Sequence, residues 1–254
     1  LYPRSMFLEG TSALSPPEWR PTAPLPADAV QVSLILERRS KSVDIGDGLN
    51  SILPKSADGV RPARYSDVLW QLSQTKQGPG LLWNGECYDL REVALSESPP
   101  RITVGPARYF DMIDYSEALA HELAAGSRGD RPTADLAKRL IRKSVGDPFD
   151  LRRRPCVPAI ACLTLFRSQD GTAEFILHDR DGGQVASAGG LIHVVPGGQF
   201  SPYSKATIDM AEHASIWSTF EREFAEELLG VKDAEGEGSA GPDIASFPFA
   251  ELRA

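Results

Sequence analysis

The sequence predicts an α+β protein, in which short strands and amphipathic helices alternate along the chain. Segments rich in β-forming residues are bounded by Gly, Pro and Asp, as is typical of strands joined by turns. Apolar residues recur at helical spacing in residues 109–125, and a second long segment with helical spacing, residues 211–229, carries clustered carboxylates. A chain of 254 residues is long enough for one large domain or two small ones.

Composition narrows the class of protein. Hydrophobic content of 41% and charged content of 24% are ordinary for a globular chain. The formal net charge of -8 argues against direct nucleic-acid binding, because that function needs a basic surface. No apolar run approaches transmembrane length and no signal peptide is recognised, so we expect no membrane partner and a cytoplasmic location. Cys87, Cys156 and Cys162 lack metal-type spacing and are expected to be reduced.

Three ranges are predicted from shifts in composition. Residues 1–27 are rich in proline and indicate a flexible arm, of which residues 1–5 before Met6 are interpreted as an expression remnant. Residues 28–150 are predicted to form a small α+β region without a catalytic constellation. Residues 151–254 are predicted to be a separate domain, because residues 146–148 break the preceding pattern and the composition changes after the basic run at 152–154.

The elements of the middle range follow from local signals. We predict a strand at 29–36, a long loop at 41–64, and a helix at 65–74. Asn84-Gly85 predicts the turn of a hairpin with strands at 81–83 and 86–90, because this dipeptide accepts positive φ angles. A strand at 102–104 and helices at 109–125 and 132–144 complete the range.

The last range reads as three strands followed by a helix. Strands are predicted at 157–166, 174–178 and 191–195, with Asp170-Gly171 turning between the first two. Pro196-Gly197-Gly198 is predicted to end the third strand, and a polar loop then leads to the helix at 211–229.

This helix carries the residues with the strongest chemical signal. Glu223, Glu226 and Glu227 fall within an arc of roughly 100°, where like charges repel one another. A divalent cation would stabilise them, because hard oxygen ligands suit Mg²⁺ or Mn²⁺. Arg222 lies one turn before Glu226 and can hold one carboxylate in place. The alternative is a solvated Glu-rich helix face on an unrelated α/β fold.

Three strands, Pro-Gly-Gly and a helix bearing Arg222-Glu223-Phe224-Ala225-Glu226-Glu227 resemble the Nudix (MutT-like) hydrolase family over residues 155–232. The family box reads G-x5-E-x7-R-E-U-x-E-E-x-G-U, where U is a bulky aliphatic residue, and its core is matched here with Phe224 at the U position. The resemblance implies a Nudix-like α/β/α sandwich with a mixed sheet, preceded by the small α+β region.

The resemblance also implies the roles of the site residues. Glu223, Glu226 and Glu227 would bind Mg²⁺ or Mn²⁺, with the backbone carbonyl of Gly197 or Gly198 as a further ligand. The same three glutamates and Arg222 form the predicted catalytic set, while the resemblance assigns no substrate-binding residue. His178 and His193 lie on predicted strands and are expected to be structural.

The box is irregular. The loop from Gly198 to Arg222 is longer than in the family pattern, Ala214 stands where the pattern has its upstream Glu, and Gly230 follows one position late. Few residues follow the helix, so the sandwich is expected to be incomplete at its C-terminus, through truncation or through completion by the N-terminal region or a partner.

Two functions therefore remain open. The first is a metal-dependent Nudix-type hydrolase that cleaves the pyrophosphate of a nucleoside diphosphate linked to another group, such as an ADP-ribose-like or NAD-like compound, or of a nucleoside triphosphate. The second is a catalytically weak or inactive Nudix-like module that senses a ligand or regulates a partner. Both take a nucleotide-type small molecule, and a homodimer is a possible assembly.

Overall fold

The structure, a computed structural model, describes residues 3–11, 13–39, 42–53, 59, 62–75, 84–126, 139–179, 191–202 and 210–230. It has mixed α+β architecture, as the sequence predicts. The chain divides into two compact units, each built from separate stretches. Unit 1 comprises residues 1–36, 86–105 and 157–254, and unit 2 comprises residues 37–85 and 106–156. The ranges 28–150 and 151–254 expected from the sequence stay a prediction.

The described residues form six α-helices and nine β-strands. The helices are α1 Gly46–Ile52, α2 Tyr65–Thr75, α3 Tyr109–Gly126, α4 Leu140–Val145, α5 Met210–His213 and α6 Ile216–Leu229. The strands are β1 Gln31–Leu34, β2 Glu86–Ala94, β3 Arg101–Arg108, β4 Ala159–Ala161, β5 Leu165–Arg167, β6 Ala173–Phe175, β7 Leu177–Asp179, β8 Ile192–Val194 and β9 Gly197–Gln199. Short 3-10 helices occur at Arg4–Met6 and Pro17–Trp19, within the range expected to be an arm, and at Ala27–Ala29, where that range ends.

Unit 2 is built around helices α1 to α4. Its core brings together apolar side chains from all four helices: Ile45, Leu49, Leu53, Tyr65, Ala118, Ile141 and Val145. Glu122 of α3 accepts hydrogen bonds from the backbone N–H groups of Ile141 and Arg142 at 2.7 and 2.9 Å. These are donors at the start of α4, where a helix leaves N–H groups unpaired. A buried carboxylate thus fixes α4 against α3.

Helix α1 corrects the prediction of a long loop at 41–64. The sequence predicts a loop here because the segment contains glycines such as Gly46 and Gly48, and glycine disfavours helix interiors. In the structure a Cβ on Gly48 would lie 2.3 Å from Cγ1 of Ile141, so only glycine permits this close approach of α1 to α4. The tertiary contact outweighs the low helix propensity.

Unit 1 contains a three-stranded mixed sheet in the order β1-β3-β2, with β1 parallel to β3. The predicted strands at 29–36 and 102–104 are confirmed as β1 and β3. Strand 86–90 of the expected hairpin is the start of β2, whereas residues 81–83 lie outside the described residues. Tyr88 of β2 donates its backbone N–H to the carbonyl oxygen of Phe200 at 3.0 Å, which ties the sheet to the end of β9.

The remaining strands of unit 1 form three antiparallel pairs, β4–β9, β5–β6 and β7–β8. The turn predicted at Asp170-Gly171 is confirmed between β5 and β6, where Gly171 has a φ of 87°. The strands predicted at 157–166 and 174–178 are each interrupted, and give β4 with β5 and β6 with β7. Pro196 ends β8 as predicted, but Gly197–Gln199 form strand β9 instead of the expected loop.

The helix predicted at 211–229 is two helices. The break lies at Ala214 and Ser215, where Ser215 has the extended φ and ψ of -145° and 149°. Its Oγ accepts the backbone N–H of Ser218 at 2.9 Å, so Ser215 is the N-cap of α6. Gly230 ends α6 in the left-handed conformation at a φ of 67°.

All three cysteines carry free thiols. Within the described ranges, none of the helices combines the length and the apolar character needed to cross a membrane.

Candidate functional site

Helix α6 packs against strand β9 through its charged face. The residues of α6 that are buried are Thr219, Glu221, Arg222, Glu223 and Ala225. The apolar stripe of α6, formed by Trp217, Phe220, Phe224 and Leu228, is only half-buried. Its rings contact one another, edge to face for Trp217 and Phe220 with centroids 5.4 Å apart, and tilted for Phe220 and Phe224 with centroids 5.7 Å apart. Burial of carboxylates in place of the apolar stripe is costly and points to a function for them.

Arg222 links the carboxylates to β9. Its Nη2 donates a hydrogen bond to the carbonyl oxygen of Gln199 at 2.7 Å. The guanidinium also lies 2.6 Å from Oε1 of Glu223 and 3.5 Å from Oε1 of Glu226. The role predicted for Arg222, holding a carboxylate in place, matches this geometry. Arg222 thus holds Glu223 and Glu226 next to the backbone of β9.

Glu223 lies directly on the backbone of Gly198. A Cβ on Gly198 would lie 1.9 Å from the carboxylate carbon of Glu223, a distance that no side chain could occupy. The φ of Gly198 is not positive, so the glycine is required for space and not for backbone conformation. Gly198 therefore allows α6 to bring Glu223, which is 7% exposed, against β9.

Glu227 contacts the edge of the same strand. Its Oε2 accepts the backbone N–H of Gly197 at 2.9 Å. The side chain is 16% exposed, less than expected for a solvated helix face. Together with the burial of Glu223, this argues against the alternative that the three carboxylates form an ordinary solvent-facing surface.

The ladder between β4 and β9 decides which glycine carbonyl faces α6. Cys162 donates its N–H to the carbonyl of Pro196 at 2.8 Å, and Phe200 donates to Pro158 at 2.9 Å. Hydrogen-bonded pairs alternate in an antiparallel ladder, so Gly198, opposite Ile160, has both backbone groups directed toward β4.

Gly197 is therefore the non-hydrogen-bonded position of the ladder. Its N–H and C=O point away from β4, and its N–H reaches Glu227. Of the two carbonyls suggested by the family resemblance, that of Gly197 lies on the side of the carboxylates, whereas that of Gly198 belongs to the ladder.

Two histidines that the sequence reading assigned to structural roles lie at this site. His178 of β7 and His193 of β8 are direct cross-strand partners. Nδ1 of His178 lies 3.7 Å from Oε1 of Glu227, and the His178 side chain is 44% exposed. The ring of His193 packs on Gly197, where a Cβ would lie 2.2 Å from its Cε1. The sequence signal that could have found this cluster is one histidine in each of the predicted strands 174–178 and 191–195, which become partners when the strands pair in this register.

Tyr88 supports the site from the sheet. Its side chain is fully buried, and its hydroxyl donates to the carbonyl oxygen of Met210 at 2.6 Å. Burial raises the pKa of Tyr88, and the positive charge of Arg222 opposes this only in part. The phenol therefore stays neutral and anchors α5, which precedes α6.

The described side chains include no group of three or more His, Cys, Asp or Glu residues arranged around a common point as metal ligands are. Glu223 is turned to Arg222 and Glu227 to Gly197, so the carboxylates bond to protein groups. Ala214, which stands where the family pattern has its upstream Glu, is buried at the break between α5 and α6.

No protein-family model matches this chain, and no curated protein matches it either.

Proposed function

We propose that this chain is a metal-dependent, Nudix-type hydrolase that cleaves the pyrophosphate of a nucleoside diphosphate linked to another group, or of a nucleoside triphosphate. The observation that carries the proposal is the packing of the buried Glu223 and the half-buried Glu227 against the backbone of Gly198 and Gly197. A cluster of carboxylates that is held partly out of water beside a glycine backbone suits a hard divalent cation.

The donor set fits Mg²⁺ or Mn²⁺. The ligands would be the carboxylates of Glu223, Glu226 and Glu227 and the backbone carbonyl of Gly197. Oε1 of Glu227 is suited to this role, because its distance of 3.7 Å from Nδ1 of His178 exceeds a hydrogen bond. When bound, the metal supplies charge that neutralises phosphate oxygens and lowers the pKa of an attacking water.

The protein groups have distinct tasks in this proposal. Arg222 fixes Glu223 and Glu226 relative to β9, so that substrate binding need not order them. Glu226 is the most exposed of the three carboxylates, with 22% of its side chain accessible. We assign it the role of accepting the proton of the attacking water, with general-base catalysis contributing on the order of 100-fold or more.

Turnover of a nucleotide panel tests the proposal. ADP-ribose, NAD and nucleoside triphosphates are incubated with Mg²⁺ or Mn²⁺, and release of monophosphate or phosphate is measured. Glu226→Gln and Glu227→Gln are each expected to lower kcat/KM by about 100-fold or more. Glu174→Gln, at an exposed position of β6, is the matched control and should leave turnover unchanged. Equal rates for all variants would contradict the proposal.

A second candidate is a ligand-sensing module without catalytic power. The buried Ala214 in place of the family's upstream Glu favours it, because the site then has one carboxylate fewer. If calorimetry shows binding of a nucleoside diphosphate and no nucleotide is turned over, the sensing function is supported and the hydrolase function is not.

A further inference from the structure

The paired strands β7 and β8 present two imidazoles on one face. His178 and His193 are register partners in an antiparallel pair, and side chains directly opposite each other project to the same side. One ring approaches Glu227 and the other covers Gly197. The same face of this ladder is thus directed at the β9 edge where Glu227 binds.

His178 differs from the other nitrogen donors of this cluster in its exposure. Arg222 is buried and engaged with Glu223, Glu226 and the carbonyl of Gln199. His193 is packed on Gly197 and is less exposed than His178. With 44% of its side chain accessible, His178 combines a place beside the carboxylates with contact to solvent. A ligand arriving from solvent can therefore reach its ring.

We propose that His178 is a ligand-contacting residue, whose imidazole N–H donates a hydrogen bond to a phosphate oxygen of the bound pyrophosphate. This inference rests on the function proposed above. Imidazole carries an N–H donor in either tautomer, and hydrogen bonds from N–H groups to phosphate are short and strong. Glu227, the described carboxylate beside His178, repels phosphate, so an N–H donor at this position would hold a phosphate oxygen in place.

The test compares two substitutions at one position. His178→Phe keeps a planar ring and removes the donor, whereas His178→Gln keeps an N–H donor. Asp179→Asn is the matched control, because adjacent residues of a strand point to opposite faces. Binding of inorganic pyrophosphate with Mg²⁺ is measured by calorimetry, kcat and KM are measured with ADP-ribose, and melting temperatures verify the fold.

His178→Phe is expected to weaken pyrophosphate binding about tenfold or more, as loss of a hydrogen bond to a charged group implies. KM should rise by a similar factor while kcat changes less than about threefold, because the contact exists before and during the reaction. His178→Gln should recover binding to within about threefold of the wild type.

Unchanged binding in His178→Phe, or equal loss in His178→Gln, would overturn the inference. If the wild type hydrolyses ADP-ribose and His178→Phe matches it, the phosphate contact fails while the hydrolase function stands. If the wild type binds pyrophosphate through His178 but turns nothing over, the contact stands and the hydrolase function fails. A wild type that neither binds pyrophosphate nor turns over ADP-ribose overturns both.

Discussion

Two adjacent glycines of β9 set how closely the side chains of the site approach the backbone. Gly198 makes room for the carboxylate of Glu223, and Gly197 makes room for the ring of His193 on the opposite face of the strand. Gly197 also donates its N–H to Glu227 at the strand edge. Glu223 occupies the space of a Cβ on Gly198, and His193 occupies the space of a Cβ on Gly197, so neither position can carry a Cβ.

Gly198→Ala should separate this steric role from the rest of the fold. The added methyl group would displace the Glu223 carboxylate, at a cost of about 1–3 kcal/mol in the free energy of unfolding. Turnover should fall by about 100-fold, because catalytic groups displaced by an ångström lose their productive geometry. Ala173→Ser, at an exposed position of β6, is the control in both assays. Wild-type turnover in a folded Gly198→Ala protein would show that Glu223 need not sit on β9.

Tyr88 gives a prediction about pH. Burial holds its phenol neutral in the folded state, whereas the unfolded chain ionises near the ordinary pKa of 10.0. Its contribution to stability is therefore complete below pH 10 and is lost as the pH rises toward the raised pKa. Chemical denaturation at pH 8 and pH 11 should show that the wild type loses about 1 kcal/mol more than Tyr88→Phe over this interval.

The same substitution should lower stability by about 1 kcal/mol at pH 8, the net value of one hydrogen bond. The carbonyl of Met210 keeps the N–H of Ala214 as a donor at 3.1 Å, so it is not left unpaired. An identical loss of stability with pH in both proteins would contradict the assignment of a neutral, buried phenol.

Helix α6 places the charged residues, and its start determines their register. The N-cap at Ser215 separates α6 from α5 and fixes which residues face β9. In the helix that begins after this cap, the charged face is buried and the aromatic residues are half-buried. Polar contacts to the β9 backbone thus involve the buried face of α6, whereas its apolar stripe is only half-buried, unlike the stripe of an ordinary amphipathic helix.

Ser215→Ala tests the importance of this cap. Loss of the bond from the N–H of Ser218 should cost about 1 kcal/mol in the free energy of unfolding. Thermal melting measures the effect, and Ser215→Asp, which retains a capping oxygen, should stay close to the wild type. Melting curves that coincide for Ser215→Ala and the wild type would show that the cap contributes nothing to α6.

Local patterns predicted those elements whose stability depends on nearby residues. The helix expected at 109–125 is α3, and the Asp170-Gly171 turn forms because its glycine adopts a positive φ. Helix α1 and strand β9 escaped prediction because each contains two glycines and depends on a distant partner, Ile141 for α1 and β4 for β9. The carboxylates of the site were recognisable from their spacing. The burial of Glu223 and the approach of His178 to Glu227 could not be predicted, because both depend on how separate strands pack on α6.

The molecule as a whole is acidic, with a formal net charge of -8. A phosphate-bearing ligand is repelled by such a protein unless cations supply positive charge at the site. The carboxylates of Glu223, Glu226 and Glu227 would therefore be of use to a phosphate-processing protein only with a metal. Both the proposed hydrolase function and the proposed role of His178 therefore depend on metal binding at these carboxylates.

Binding of Mn²⁺, measured by electron paramagnetic resonance as the loss of the free-ion signal, tests this claim most directly. The wild type should bind Mn²⁺ in competition with Mg²⁺, and Glu223→Gln and Glu227→Gln should weaken binding by about tenfold or more, since each removes a charged ligand. Glu174→Gln should bind as the wild type does. A wild type that leaves the Mn²⁺ signal unchanged, or glutamine variants that bind Mn²⁺ equally well, would contradict the assignment of α6 and β9 as a metal site.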